Sequence, residues 1–127
     1  MKAATKNWLG LADESYQDAE YLFKGARHPN AVYHYWQALE KILKAAQVEL
    51  VAQVPKKIHN LVTLANQSGL KFSTEQLASL KELSKHYRRV RYRDLSQAHY
   101  NTKKKVQPII KEVKTLYLWT SKKLTSL

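Results

Sequence analysis

Cysteine is absent from this chain of 127 residues. That removes a disulfide framework and every thiolate metal site, and it fits a reducing compartment such as the cytoplasm. Glycine and proline are scarce, three of each. The glycines, at 10, 25 and 69, are too scattered for a phosphate-cradling loop or a dinucleotide fingerprint. No apolar run approaches the roughly 18 residues that a membrane span needs. The opening MKAATKNWLGLADESY lacks the unbroken apolar stretch of a secretory signal and soon turns acidic. These absences predict a cytoplasmic protein with no membrane role. No His-Glu-x-x-His occurs, and His28 and His34 are six apart and point in different directions on a helix, so neither metal nor cofactor is expected.

Acidic side chains are also few, and what replaces them is the strongest compositional signal. Lysine and arginine number 22 against 10 for aspartate and glutamate, a net charge of +12. Residues 81–127 hold 13 basic and 3 acidic side chains, whereas residues 1–80 hold 9 and 7. A charge gradient of this kind attracts polyanions, nucleic acid before an anionic membrane surface.

Few breakers and a persistent period of three and four residues predict an all-α protein. A first helix is expected from about Lys6 to Lys24, with Trp8, Ala12, Ser15, Ala19, Leu22 and Phe23 on one stripe. A second runs from about Asn30 to Leu50, with Asn30 as N-cap and Val32, Tyr35, Trp36, Leu39, Ile42, Leu43 and Ala46 facing the core. Pro55 breaks the pattern, and a short helix follows over about Asn60 to Gln67. Ser73 with Gln76 reads as a capping box that opens a fourth helix reaching about Val90. The last lies between about Thr102 and Lys123. Pro108 leaves its start open: near Gln107, or at Thr102 with a kink. Four long helices and one short one with brief connections imply a single domain over residues 1–127, an antiparallel up-and-down bundle.

The chemistry worth weighing lies around RYRDLSQAHY, residues 91–100. Arg88, Arg89, Arg91 and Arg93 crowd its entrance, Asp94 interrupts them and His99 follows. An arginine grips phosphate and a histidine moves protons. Together they suffice in principle for metal-free RNA cleavage, with Asp94 as orienter. Tyr92 and Tyr100 offer rings for stacking bases, and Lys103, Lys104 and Lys105 extend the basic patch. The plainer alternative is a basic run that complements the dipole at a helix C-terminus. The carboxylates Asp13, Glu14, Asp18 and Glu20 read as a solvated face.

The stretch AVYHYWQALEKILKAAQVEL, residues 31–50, resembles the HEPN family (higher eukaryotes and prokaryotes nucleotide-binding domain). Its Gln-Ala-x-Glu-Lys-x-Leu-Lys signature is matched by Gln37, Ala38, Glu40, Lys41, Leu43 and Lys44. A proline-containing turn and a His-x-Leu segment follow, matched by Pro55, His59 and Leu61. The family's Arg-Tyr-Pro-Asp reads here Arg91-Tyr92-Arg93-Asp94, the Arg-Tyr-x-Asp branch. The resemblance implies a dimerising helical bundle that binds RNA or nucleotide; Gln37, Lys41 and Lys44 are candidate contacts, and a polar seam within the bundle that includes Gln37, Glu40 and Lys41 is the equal alternative. It also implies, as an alternative, a metal-independent endoribonuclease toxin, and a minimal nucleotidyltransferase as neighbour. The family's catalytic spacing is arginine, four to six residues, then histidine. Arg91 is the family-equivalent arginine but stands one step too far from His99; Arg93 meets the spacing but occupies the proline's place. A non-catalytic adaptor bundle that binds a partner protein is the third reading.

Overall fold

The computed structural model describes residues 1–126, and for residues 93–95 the backbone alone. The chain folds as an all-α bundle: α1 (Ala3–Lys24), α2 (His28–Ala46), a π-helical turn (Gln47–Val51), α3 (Leu61–Gln67), α4 (Thr74–Arg89), α5 (Arg93–Tyr100) and α6 (Lys103–Thr125). The four long helices and the short α3 lie where the periodicity places them. α5 is the addition, formed where the sequence predicts only the end of a helix and a loop.

α2 is the axis of the molecule and touches every other helix. Its buried residues cover most of its circumference: Ala31, Val32, Tyr35, Trp36, Ala38, Leu39, Ile42, Leu43, Ala45 and Ala46, the pattern of a helix enclosed on several sides. α1 presents Thr5, Ala12, Ser15 and Ala19 as its buried row. These small side chains let its backbone lie close along α2. Trp36 crosses to α4, its indole N–H donating to the Leu83 carbonyl at 2.8 Å, so the core's largest side chain leaves no polar atom unpaired.

The helix ends follow local chemistry. Ser73 and Gln76 form both bonds of a capping box, and the Asn60 side chain accepts from the amides of Val62 and Thr63. α2 differs from expectation. It begins at His28 with Pro29 in its first turn, and no side chain caps it; a proline's missing N–H costs nothing there. At its other end α2 widens into the π-helical turn, which Ala52 closes with φ 56°. Gly69, at φ 86°, packs there: a Cβ on it would meet Leu50 Cβ at 2.8 Å. α6 starts at Lys103, capped by Thr102, and runs through Pro108, which decides between the two starts.

Candidate nucleic-acid interface

Two arginine–tyrosine pairs, each four residues apart in sequence, form where α4 ends and the chain turns into α5. The Arg88 guanidinium lies 5.8 Å from the ring centre of Tyr92, and that of Arg91 lies 4.9 Å from Tyr87. Arg88, Arg91 and Tyr92 are exposed, Tyr92 at 56%. Stacking on a ring holds each guanidinium extended, and among the described residues no carboxylate or carbonyl takes up its N–H groups. Lys103, Lys104 and Lys105 are exposed at the start of α6. Lys103 lies over Phe23 at 5.9 Å, and the Lys105 ammonium donates to the Ala98 carbonyl at 3.1 Å, binding α6 to the end of α5.

α5 is anchored by two buried side chains four residues apart. The Ser96 hydroxyl donates to the Val90 carbonyl and so satisfies a backbone group at the end of α4. Tyr100 is fully buried, its hydroxyl 2.6 Å from His86 Nδ1. Burial pushes the Tyr100 pKa up to about 12, against a smaller opposing pull from Arg89. Burial, then Arg89, pushes the His86 pKa down to about 4. His86 is therefore neutral near pH 7, and its Nδ1 shares a hydrogen bond with the Tyr100 hydroxyl. This corrects the expectation for Tyr100: it is a core residue that locks α5 onto α4 and presents no ring to a base.

The signature residues of α2 are also largely spent on structure. Lys44 is buried, 3.9 Å from the Glu40 carboxylate and 5.7 Å from the Trp8 ring. It is no surface contact for a ligand. Lys41 donates to Ser15 at 2.7 Å, tying α2 to α1, and Gln37 donates to the Tyr33 hydroxyl at 3.0 Å. Both are half-buried. Glu40 is bonded to His59 Nδ1 at 2.7 Å, and His59 stacks on Tyr87 with 4.4 Å between ring centres. Asn60, one residue on, is the cap of α3, so His59 has a different task from the one its place before a helix suggests.

The histidine and arginines of the candidate cleavage motif are spread out. His99 is exposed in the last turn of α5, its ring 6.0 Å from that of Tyr100 and near enough to His86 to disfavour its protonation. Among the described residues no hydrogen bond, ion pair or ring contact joins Arg91 to His99. Arg93 opens α5; six residues of helix separate it from His99 by about 9 Å along the axis and about 120° around it. The side chains of Arg93 and Asp94 lie outside the described residues, and so does the orienting role expected of Asp94. Arg89 is exposed beside the His86–Tyr100 pair whose charges it perturbs. Nothing in the sequence pattern marks the roles of His86 and Tyr87 or the Glu40–His59 bond. Only the four-residue spacing of Tyr87 to Arg91 and of Arg88 to Tyr92 was there to be read.

The HEPN domain family model matches residues 5–124. The chain belongs to the HEPN family. The crystal structure of TT1696 from Thermus thermophilus superposes on this HEPN domain with a TM-score of 0.81. It shares 19% identity, over 96% of this chain and 99% of that one; at that identity the likeness is one of fold. No curated protein matches the sequence. Among the described residues no helix of this HEPN domain is long and apolar enough to cross a membrane.

Proposed function

We propose that this HEPN domain binds single-stranded RNA or a nucleotide through the surface formed by the end of α4, α5 and the start of α6. The observation that carries the reading is the pairing of exposed guanidinium groups with tyrosine rings, Arg88 on Tyr92 and Arg91 on Tyr87. Fixed cations beside flat rings suit a ligand that alternates phosphate and base. Arg89 and Lys103 to Lys105 widen the cationic surface. The family resemblance supports two extensions of this reading, a homodimer and a minimal nucleotidyltransferase as the partner protein.

Cleavage is the second reading. It is favoured by the exposed His99, in the last turn of the same short helix that Arg93 opens. Because the two positions diverge around α5, the arginine and histidine of one cleavage site would come from two copies of the chain.

Both readings meet in one assay: labelled single-stranded RNA titrated at several salt concentrations in EDTA. Binding should weaken with a log–log slope of about −0.7 per phosphate contact, so about −2 for three contacts. A flat salt response removes nucleic acid and leaves the protein-binding adaptor. Cutting that disappears in His99→Ala would make the domain a metal-independent endoribonuclease, as in a toxin; intact RNA with salt-sensitive binding makes it a binding protein.

A further inference from the structure

We propose that His59 is a preorganised stacking platform for an unpaired base of single-stranded RNA, with Arg91 taking a neighbouring phosphate. The inference rests on the binding function proposed above and names a subsite outside the basic run.

The ring is fixed on two sides. Its Nδ1 edge meets the Glu40 carboxylate at 2.7 Å. That carboxylate sits on the central helix with its side chain only 8% exposed. A carboxylate only accepts, so Nδ1 carries the proton. One face of His59 is covered by Tyr87, 12° from parallel at 4.4 Å. Tyr87 is itself braced by Trp36 at 4.6 Å. Yet the His59 side chain remains 48% exposed. With Tyr87 against one face and Trp36 6.5 Å away, the exposed part of the ring lies on its remaining face and edges. A histidine that merely decorated a loop would have free rotamers and no covered face. This one loses its rotational freedom before any ligand arrives, so a base that stacks on it has less disorder to overcome.

The surroundings match the ligand. Arg91 lies 4.9 Å from the same Tyr87 ring. With His59 at 4.4 Å from it, guanidinium and imidazole are at most about 9 Å apart, and a base on the far face of His59 lies one stacking distance beyond, within the reach of a dinucleotide. Half-buried Tyr33 and His34 continue the aromatic surface along α2, Tyr33 lying 6.5 Å from Tyr87. Stacked rings beside an arginine suit an extruded base next to its phosphate, and an unpaired base is the form in which RNA offers a π-face. The column also takes over the part that buried Tyr100 leaves unfilled.

The test compares an octamer of uridylate with an abasic ribose-phosphate octamer of the same length and charge. If wild type binds neither, the parent reading fails; if it binds both equally, only the stacking subsite fails. The expected result is a preference for the base-bearing octamer. His59→Ala should reduce it by roughly 5- to 150-fold, the span of base–aromatic stacking, while affinity for the abasic octamer stays put and serves as the check on folding. His59→Phe, which keeps a flat ring, should retain most of the preference. Undiminished preference in His59→Ala, or equal loss in His59→Phe, overturns the proposal. Independently of any variant, photocrosslinking of a 5-bromouridine octamer to wild type should modify His59; crosslinks confined to Tyr92 would overturn it too.

Discussion

The burial of His86 makes the stability of this domain depend on pH. His86 is held neutral by burial first and then by the positive charge of Arg89, His99 and Lys85; Glu82 pulls the other way. Its pKa falls from 6.5 to about 4. An unfolded chain therefore takes up a proton near pH 6.5 that the folded chain refuses until about 4. Between those values the unfolded state binds more protons, so stability is complete above about 6.5 and is lost as pH falls toward 4. A shift from 6.5 to about 4 corresponds to about 3.4 kcal/mol at 1.36 kcal/mol per unit. The ring keeps part of its exposure, and solvent screening reduces this to about 2 kcal/mol. In a domain of this size that lowers Tm by about 6–10 °C. The control is His86→Gln, which does not titrate in this range. Thermal unfolding followed by circular dichroism from about pH 7.5 to about pH 4.5 should show wild type more stable at the upper end and the gap closing as pH falls. All other histidines and carboxylates are common to both proteins and cancel in the difference. Two melting curves that run parallel with pH would refute a buried neutral His86.

Two other perturbations test the packing. Gly69→Ala forces a side chain into a left-handed conformation and against Leu50 and Val51. It should destabilise the domain by about 3 kcal/mol in a urea titration; an unchanged midpoint would mean the π-helical turn yields freely. Lys44→Met removes a cation that is buried between Glu40 and Trp8. It should leave RNA affinity within about twofold of wild type and the salt slope unchanged, whereas a drop of one contact's worth in the slope would put Lys44 back on the binding surface.

The long helices were legible because each carries enough turns for its stripe to repeat, and the ends of α3 and α4 because Asn60, Ser73 and Gln76 cap by local chemistry alone. α5 was not, since eight residues hold barely two turns and only Ser96 and Tyr100 anchor it among the described side chains. A tyrosine beside a run of cations looks like a stacking ring until its depth is known. Sequence spacing also hid the Glu40–His59 bond, which joins residues nineteen positions apart across a proline-containing loop. Lys44 misled for the opposite reason. It stands four residues from Glu40, the spacing of a helix ion pair, and on the most enclosed helix of a bundle such a pair is interior rather than solvated.

That enclosure bears on how the family signature should be used. Gln37, Ala38, Glu40, Lys41, Leu43 and Lys44 sit on the helix that every other element touches, and their polar atoms are engaged with Tyr33, His59, Ser15 and one another. In this chain the signature is thus a keystone of assembly. The exposed residues between Arg88 and Lys105 make none of the signature's bonds among the described residues, so they can be rewritten for a new ligand, a new chemistry or none while the signature and the buried Tyr100 stand unchanged. Two chains bearing the same signature share an architecture; whether they share a task is written in the other segment.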